Sequence, residues 1–292
     1  MNYLSLLSNC NICPWKCGVN RIKGEKGICE ASGENVKIAS FNLHHGEEPP
    51  ISGMKGSGTI FFSGCNMKCV YCQNYPISQF KYGKENTIEE LSDIMLDLKN
   101  KNAHNINLVT CNHYIPQILK ALKIAKERNL NIPIVYNSSG FDSLETIKLI
   151  KDYIDIYLVD MRYSDNEYAL KYSKVYNYVE INRKAVIEMF YQKGNLITND
   201  YGIAQKGIII RLLILPNNIS GTIETLNFIK ENIGNEVYVS VMDQYFPTYK
   251  AKEIDELNRR INKQEYNQVI DTVNNLGFNN GWIQKSLNER YI

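Results

Sequence analysis

Between Phe61 and Cys72 the chain reads Phe-Phe-Ser-Gly-Cys-Asn-Met-Lys-Cys-Val-Tyr-Cys, three thiols at CxxxCxxC spacing in one short loop, close enough to share a single inorganic cluster. A fully protein-ligated [4Fe-4S] cube takes four thiolates. Cys65, Cys69 and Cys72 would therefore leave one iron open to another ligand. The rest of the chain reads as the scaffold that serves this loop.

Of the eight cysteines, seven fall into two groups, Cys10, Cys13, Cys17 and Cys29, then Cys65, Cys69 and Cys72, while Cys111 stands alone. The opening Met1-Asn2-Tyr3-Leu4-Ser5-Leu6-Leu7 has neither a positively charged start nor a long apolar stretch. Clustered cysteines in a chain without an export signal favour metal over disulfides. No apolar run approaches the roughly 20 residues of a spanning helix, so the expectation is a soluble, cytoplasmic protein. Lys and Arg total 33 against 31 Asp and Glu, and a formal charge of +2 gives no electrostatic case for nucleic acid or an anionic membrane. With 292 residues, length allows one large α/β barrel or two ordinary domains.

Residues 1–40 read as a cysteine-rich knuckle. Cys10, Cys13, Cys17 and Cys29, with glycines at the bends, make a complete tetrahedral set. A closed site of this kind suits structural Zn(II) or a rubredoxin-like iron, and an auxiliary [4Fe-4S] cluster fits the ligand count equally. Residues 41–58, rich in Gly and Pro, read as a linker or lid, too irregular for a helix. His44 and His45 beside Glu47 and Glu48 could hold a metal, but neighbouring side chains on extended backbone point to opposite faces, which favours plain surface or capping hydrogen bonds.

Residues 59–292 alternate strand and helix. Apolar runs at 59–62, 106–110, 132–136, 154–159, 207–214 and 237–242 read as strands, and helical periodicity lies between them. Thr87-Ile88-Glu89-Glu90 is a capping-box pattern at the head of a stripe formed by Leu91, Ile94, Met95 and Leu98. Such alternation predicts parallel βα units, here an α/β fold with a partial (β/α)6 TIM-like barrel open along one side. In folds of this kind ligands gather at the C-terminal strand ends. There the chain places the cysteine loop, Thr110-Cys111-Asn112-His113, Asn137 and Ser139, Asp160, and Asp243 with Gln244. Arg211 interrupts an otherwise apolar strand, a setting in which a charge needs a partner.

The four-cysteine knuckle, His44-His45-Gly46-Glu47-Glu48-Pro49-Pro50-Ile51-Ser52-Gly53, Gly64-Cys65-Asn66, Tyr71-Cys72-Gln73-Asn74 and Met242-Asp243-Gln244-Tyr245 together resemble the PflX-type radical S-adenosylmethionine (SAM) proteins, relatives of pyruvate formate-lyase activating enzyme. The resemblance runs from about Cys10 to the last helix. It implies a [4Fe-4S] cluster on Cys65, Cys69 and Cys72 and reductive cleavage of SAM to a 5′-deoxyadenosyl radical that takes hydrogen from a substrate. It further implies an electron donor such as flavodoxin or ferredoxin, and a small-molecule, peptide or protein substrate.

By position the resemblance sets Tyr71 near adenine, Thr110 and Asn112 at the methionyl amine, Asn137, Ser139 and Asp160 at ribose hydroxyls, and Arg211 at the SAM carboxylate as a planar bidentate donor. Cys111 and Val159 stand where the family pattern has proline. Cys111 could be a reactive thiol, though a lone buried cysteine is more simply a small apolar residue. Capping of the following helix is the plain reading of Asp160, Asp243 and Gln244, and His113 could be a polar substrate contact or, equally, a satisfied helix-start histidine. Activation of a glycyl-radical enzyme is an alternative within the class, its weight lowered because the extra cysteines precede the loop. A non-catalytic metal-binding or redox-sensing protein is the alternative outside it.

Overall fold

The first long helix begins as its residues dictate. Thr87 Oγ1 accepts from the Glu90 amide at 3.1 Å, and the Glu90 carboxylate accepts from the Thr87 amide at 2.7 Å. Leu91, Ile94, Met95 and Leu98 then recur at helical spacing and are buried. The computed structural model describes residues 3–31 and 33–284.

In chain order the regular elements begin with β1 (Val36–His44), α1 (Pro49–Ser52), β2 (Ser57–Phe62), α2 (Tyr75–Ser78), β3 (Lys84–Asn86), α3 (Ile88–Asn100), β4 (Ile106–Val109) and α4 (Ile115–Glu127). There follow β5 (Ile134–Ser138), α5 (Leu144–Ile150), β6 (Ile156–Asp160), α6 (Asn166–Ser173), α7 (Tyr178–Lys193), β7 (Ile197–Thr198) and β8 (Ala204–Leu213). The last are α8 (Thr222–Asn232), β9 (Tyr238–Met242), α9 (Lys263–Asn275) and β10 (Gly281–Ile283). None of the described helices is long and apolar enough to cross a membrane.

The main sheet has the order β10-β9-β8-β6-β5-β4-β2-β1-β3. From β2 to β10 every neighbouring pair is parallel, whereas β1 pairs antiparallel with both β2 and β3. The six expected strands are β2, β4, β5, β6, β8 and β9. The chain adds β10 as a further parallel strand beyond β9, so the run of six is extended rather than ended there.

Both faces of this sheet are covered, and the period of two sorts them. Tyr136, Tyr157, Val159, Ile208 and Ile210 join the cluster that includes the apolar stripes of α3, α4, α7, α8 and α9. Val135, Ile156, Leu158 and Ile209, one residue out of phase, form a separate cluster with Ile51. Polar residues take over the second face towards the strand ends, at Asn137, Asp160 and Arg211. Asp160 and Arg211 are register partners across β6 and β8.

Residues 41–58 differ from the expected linker or lid. Residues 41–44 belong to β1, so the boundary expected at residue 40 falls inside a strand paired with β2 from Ile38↔Phe62 to His44↔Ser57. The following Pro49–Ser52 turn is helical, with proline tolerated in the first turn. Its Ile51 is fully buried among the strand residues of the second face. The segment plugs that face of the sheet. Only Phe41 and Leu43 alternate as in a strand, and the glycines and prolines that follow obscure so short a pattern.

Candidate active site

The cysteine loop leaves the C-terminal end of β2 with each sulfur already in contact with a donor or hydroxyl. Cys65 Sγ accepts from the Met67 amide at 3.3 Å. Cys69 Sγ accepts from Ser173 Oγ at 3.0 Å and from Arg162 Nη1 at 3.4 Å. Cys72 Sγ lies 3.1 Å from Ser78 Oγ. All three are free thiols. Burial, then the charge of neighbouring Cys69, pushes the Cys65 thiol up to about 12, and burial likewise raises Cys72. At Cys65 and Cys72 a bare thiolate is disfavoured, so a metal-bound form there needs the metal's own charge to hold the protons off.

Beside the loop a cavity of about 610 Å³ opens at the strand ends. Of the residues expected at SAM, Thr110, Asn137, Ser139, Asp160 and Arg211 line it. Asn112 does not. It is buried, with Nδ2 donating towards Phe141 O and Asp142 Oδ1 at 3.4 and 3.3 Å. Tyr71 is also packed away, its hydroxyl donating to Tyr163 at 2.7 Å and its ring against Tyr163 and Tyr245.

Thr110 turns the chain with φ +54°, a left-handed conformation rare for a β-branched residue and characteristic of sites where surrounding structure holds strain. Gly140 makes the equivalent turn after β5 with φ +73°, and a Cβ there would lie 2.0 Å from Asn182 Nδ2 and 2.5 Å from Asp160 O. Gly140→Ala is expected to destabilise the protein by about 1–3 kcal/mol through overpacking, measured by chemical denaturation. An unchanged midpoint would show that the contact relaxes at no cost.

The cavity floor is an ionic network. Arg211 Nε donates to Asp160 Oδ1 at 2.8 Å, Nη1 to Glu47 Oε2 at 3.2 Å, and Nη2 to Asn137 Oδ1. Glu47 Oε1 also accepts from Asn107 at 2.9 Å and Asn137 at 3.3 Å. Arg162 grips the other Asp160 oxygen with Nη2 at 2.6 Å and Nε at 3.1 Å. Burial alone would raise the Asp160 carboxyl, but Arg211 and Arg162 overcome it and hold the group below its ordinary value. Next along the chain, Glu48 is raised, chiefly by burial and further by Glu47, with Arg211 opposing.

Arg211 reaches the cavity wall, and its Nε, Nη1 and Nη2 each donate to a protein acceptor, so the guanidinium that the resemblance sets at a cofactor carboxylate is shared with Asp160, Glu47 and Asn137. Asp160 differs from its capping reading, since it pairs with two arginines, and the cap of α6 is Asp165. Arg162 is the residue that sequence reasoning missed, and Glu47, weighed there only as a neighbour of His44 and His45, is instead a partner of Arg211. Arg162 had a signal, lying two positions after Asp160 on the same side of an extended chain.

The N-terminal cysteines are gathered as well. Cys10, Cys13, Cys17 and Cys29 line one small cavity together with Arg21 and His113. Burial pushes the Cys13 thiol up to about 12, with smaller contributions from the other three. Among the described residues no three of His, Cys, Asp and Glu are drawn in to metal-ligand spacing, in either cysteine group or around His44 and His45. The donors are assembled, but the sulfurs are not closed on a centre. The ring of His44 meets Phe61 edge-on and borders the large cavity.

His113 is buried, and that burial pushes its pKa down to about 3. The neutral ring places Nε2 at 2.9 Å from Ser63 O. A carbonyl only accepts, so Nε2 carries the proton. Cys111 is buried with its thiol raised by desolvation, an inert small side chain. Gln244 lines the large cavity.

Residues 59–229 match the family described as the radical SAM superfamily. An uncharacterized protein of Methanocaldococcus jannaschii is 35% identical over 277 residues, 91% of this chain and 75% of its own length. Two longer solved structures match in fold. The crystal structure of HydG, a maturase of the [FeFe]-hydrogenase, gives a TM-score of 0.53 at 15% identity, covering 78% of this chain and 51% of HydG. Native anSMEcpe with bound AdoMet gives 0.47 at 15% identity, covering 73% of this chain and 57% of its own. The chain thus spans between half and three fifths of these two solved proteins. A family match across more than half of the sequence, on the strands whose ends carry the cysteine loop and the polar cavity, means that this chain belongs to the radical SAM superfamily.

Proposed function

We propose that this chain is a PflX-type radical SAM enzyme, with a [4Fe-4S] cluster on Cys65, Cys69 and Cys72 and SAM in the adjoining cavity. The observation that carries the reading is the set of three free thiols, each contacted by a neighbouring donor or hydroxyl, with Arg162 spanning from Cys69 to the cavity wall. Three thiolates with donors on their sulfurs fit a cluster that keeps one iron open. When bound, the cluster and SAM supply reductive cleavage to a 5′-deoxyadenosyl radical able to abstract hydrogen from a substrate.

The chain's own part is to bind, orient and exclude water. Arg162 fixes Cys69 relative to Asp160. Thr110, Asn137 and Ser139 offer hydrogen bonds along the wall, and Glu47 with Arg211 closes the floor. The reading carries with it a reductant such as flavodoxin or ferredoxin, a cytoplasmic setting, a small-molecule, peptide or protein substrate, and a second metal site at the N-terminal cysteines.

Anaerobic reconstitution with iron, sulfide, SAM and dithionite is expected to release 5′-deoxyadenosine and methionine. An intact, reduced cluster that leaves SAM uncleaved would overturn the proposal.

A further inference from the structure

Arg21 is 1% exposed. Its Nη1 donates to His113 O at 2.6 Å, while Nε and Nη2 have no hydrogen-bond partner among the described residues. A guanidinium buried with unmet donors is costly unless an anion compensates it. Arg21 shares a cavity with Cys10, Cys13, Cys17 and Cys29, and the cavity measures about 10 Å³. That is about the space of one water-sized sphere, room for a single ion between the side chains as they stand.

Backbone pairing holds the two arms of the knuckle in place. The Cys10 amide donates to Val19 O and the Gly18 amide to Cys10 O, both at 3.0 Å. Asn20 caps the Arg21–Lys23 turn, which ends on Gly24 with φ +85°.

We propose that Cys10, Cys13, Cys17 and Cys29 bind one thiophilic metal ion, Zn(II) or a lone iron, as a tetrathiolate whose net negative charge is compensated by the buried Arg21. This rests on the second metal site of the reading above and narrows it from three candidates to a mononuclear centre. Four thiolates around a divalent ion leave a dianion, and a buried guanidinium lining the same cavity, with two nitrogens unmet among the described residues, is a fitting counter-charge.

The centre braces the catalytic loop. Arg21 holds the His113 carbonyl, the His113 ring holds Ser63 O at 2.9 Å, and Trp15 Nε1 holds Asn66 O at 2.7 Å. These bonds flank Cys65 on both sides. Gly64, with φ +86°, lets the loop pass close to Cys29, since a Cβ there would lie 3.0 Å from Cys29 O.

The test uses the full chain carrying Cys65→Ala, Cys69→Ala and Cys72→Ala, so that only the N-terminal group can bind metal and the outcome is independent of SAM cleavage. The protein is loaded anaerobically in one arm with Zn(II) and in another with ferrous iron and sulfide, and metal and acid-labile sulfide are counted. The expected result is one ion per chain without sulfide, and the arm that retains it after a chelator wash identifies the metal. About four irons with sulfide, or no ion retained in either arm, would overturn the proposal. Adding Arg21→Met to the same protein should speed metal loss to a chelator by about 10–100-fold, and loss at the parent's rate would remove Arg21 from the centre. The ion count stands whether or not the Arg21 variant folds.

Discussion

Reconstituted protein carrying Cys69→Ala should release no 5′-deoxyadenosine above the reagent blank, while Cys111→Ala should stay close to the parent. Cys69 is the thiol most tightly built into the site, since its sulfur meets both Ser173 and Arg162. Two remaining thiols cannot hold a cube with only one iron open. Cys111 faces the buried core beside Asp142 and contributes no ligand. Arg162→Met separates ligation from support. It leaves all three thiols in place but removes the donor to Cys69 and one of the two cations on Asp160, so cleavage should fall by about 10–100-fold with the cluster still assembled. Iron content and product release, measured on the same samples, distinguish the two variants. A Cys69→Ala protein that still cleaves SAM would mean that the loop is not the cluster site.

Arg211→Met should be the most destabilising single substitution in the cavity, by about 3–5 kcal/mol, because it strands the buried Glu47 carboxylate and leaves Asp160 with Arg162 alone. Asp160, Glu47 and Asn137 all direct acceptors at this guanidinium. A loss of that size lowers the melting temperature by on the order of 10 °C. Adding Glu47→Gln should restore part of the loss, since it removes the stranded charge. The sign of the pH dependence follows from Asp160. Its folded pKa is held low, so its contribution is complete above the ordinary carboxylate range and is lost as pH falls through the lowered value. Were Arg211 only a cofactor contact, cofactor-free protein would melt at the parent's temperature, and that result would reject the network.

Six of the parallel strands were legible because each is an apolar run with a polar end. β10 was not, because Gly281-Trp282-Ile283 is too short to show a period and pairs only through the register set by β9. At the site, Thr110, Asn137, Ser139, Asp160 and Arg211 follow from strand position alone, as polar residues at or near the C-terminal ends. Asn112 and Tyr71 escape that rule because the chain has already turned away from the sheet when it reaches them. Thr110 sends it left-handed into the short 3-10 turn Asn112–Tyr114. Glu47 escapes for another reason. Its partners Asn107, Asn137 and Arg211 lie 60, 90 and 164 positions further on, and no local pattern encodes such a meeting.

That separation has a kinetic meaning. Ile51 and Glu47 leave the ribosome before any of the strands that enclose them, and Arg211 follows more than half a chain later. Until then the plug has no socket. Pairings this distant raise the contact order and slow the search, and an apolar turn left waiting in solvent is a site for early misassembly. The segment carrying Glu47 and Ile51 is thus made before its partners and settles only after the last of them.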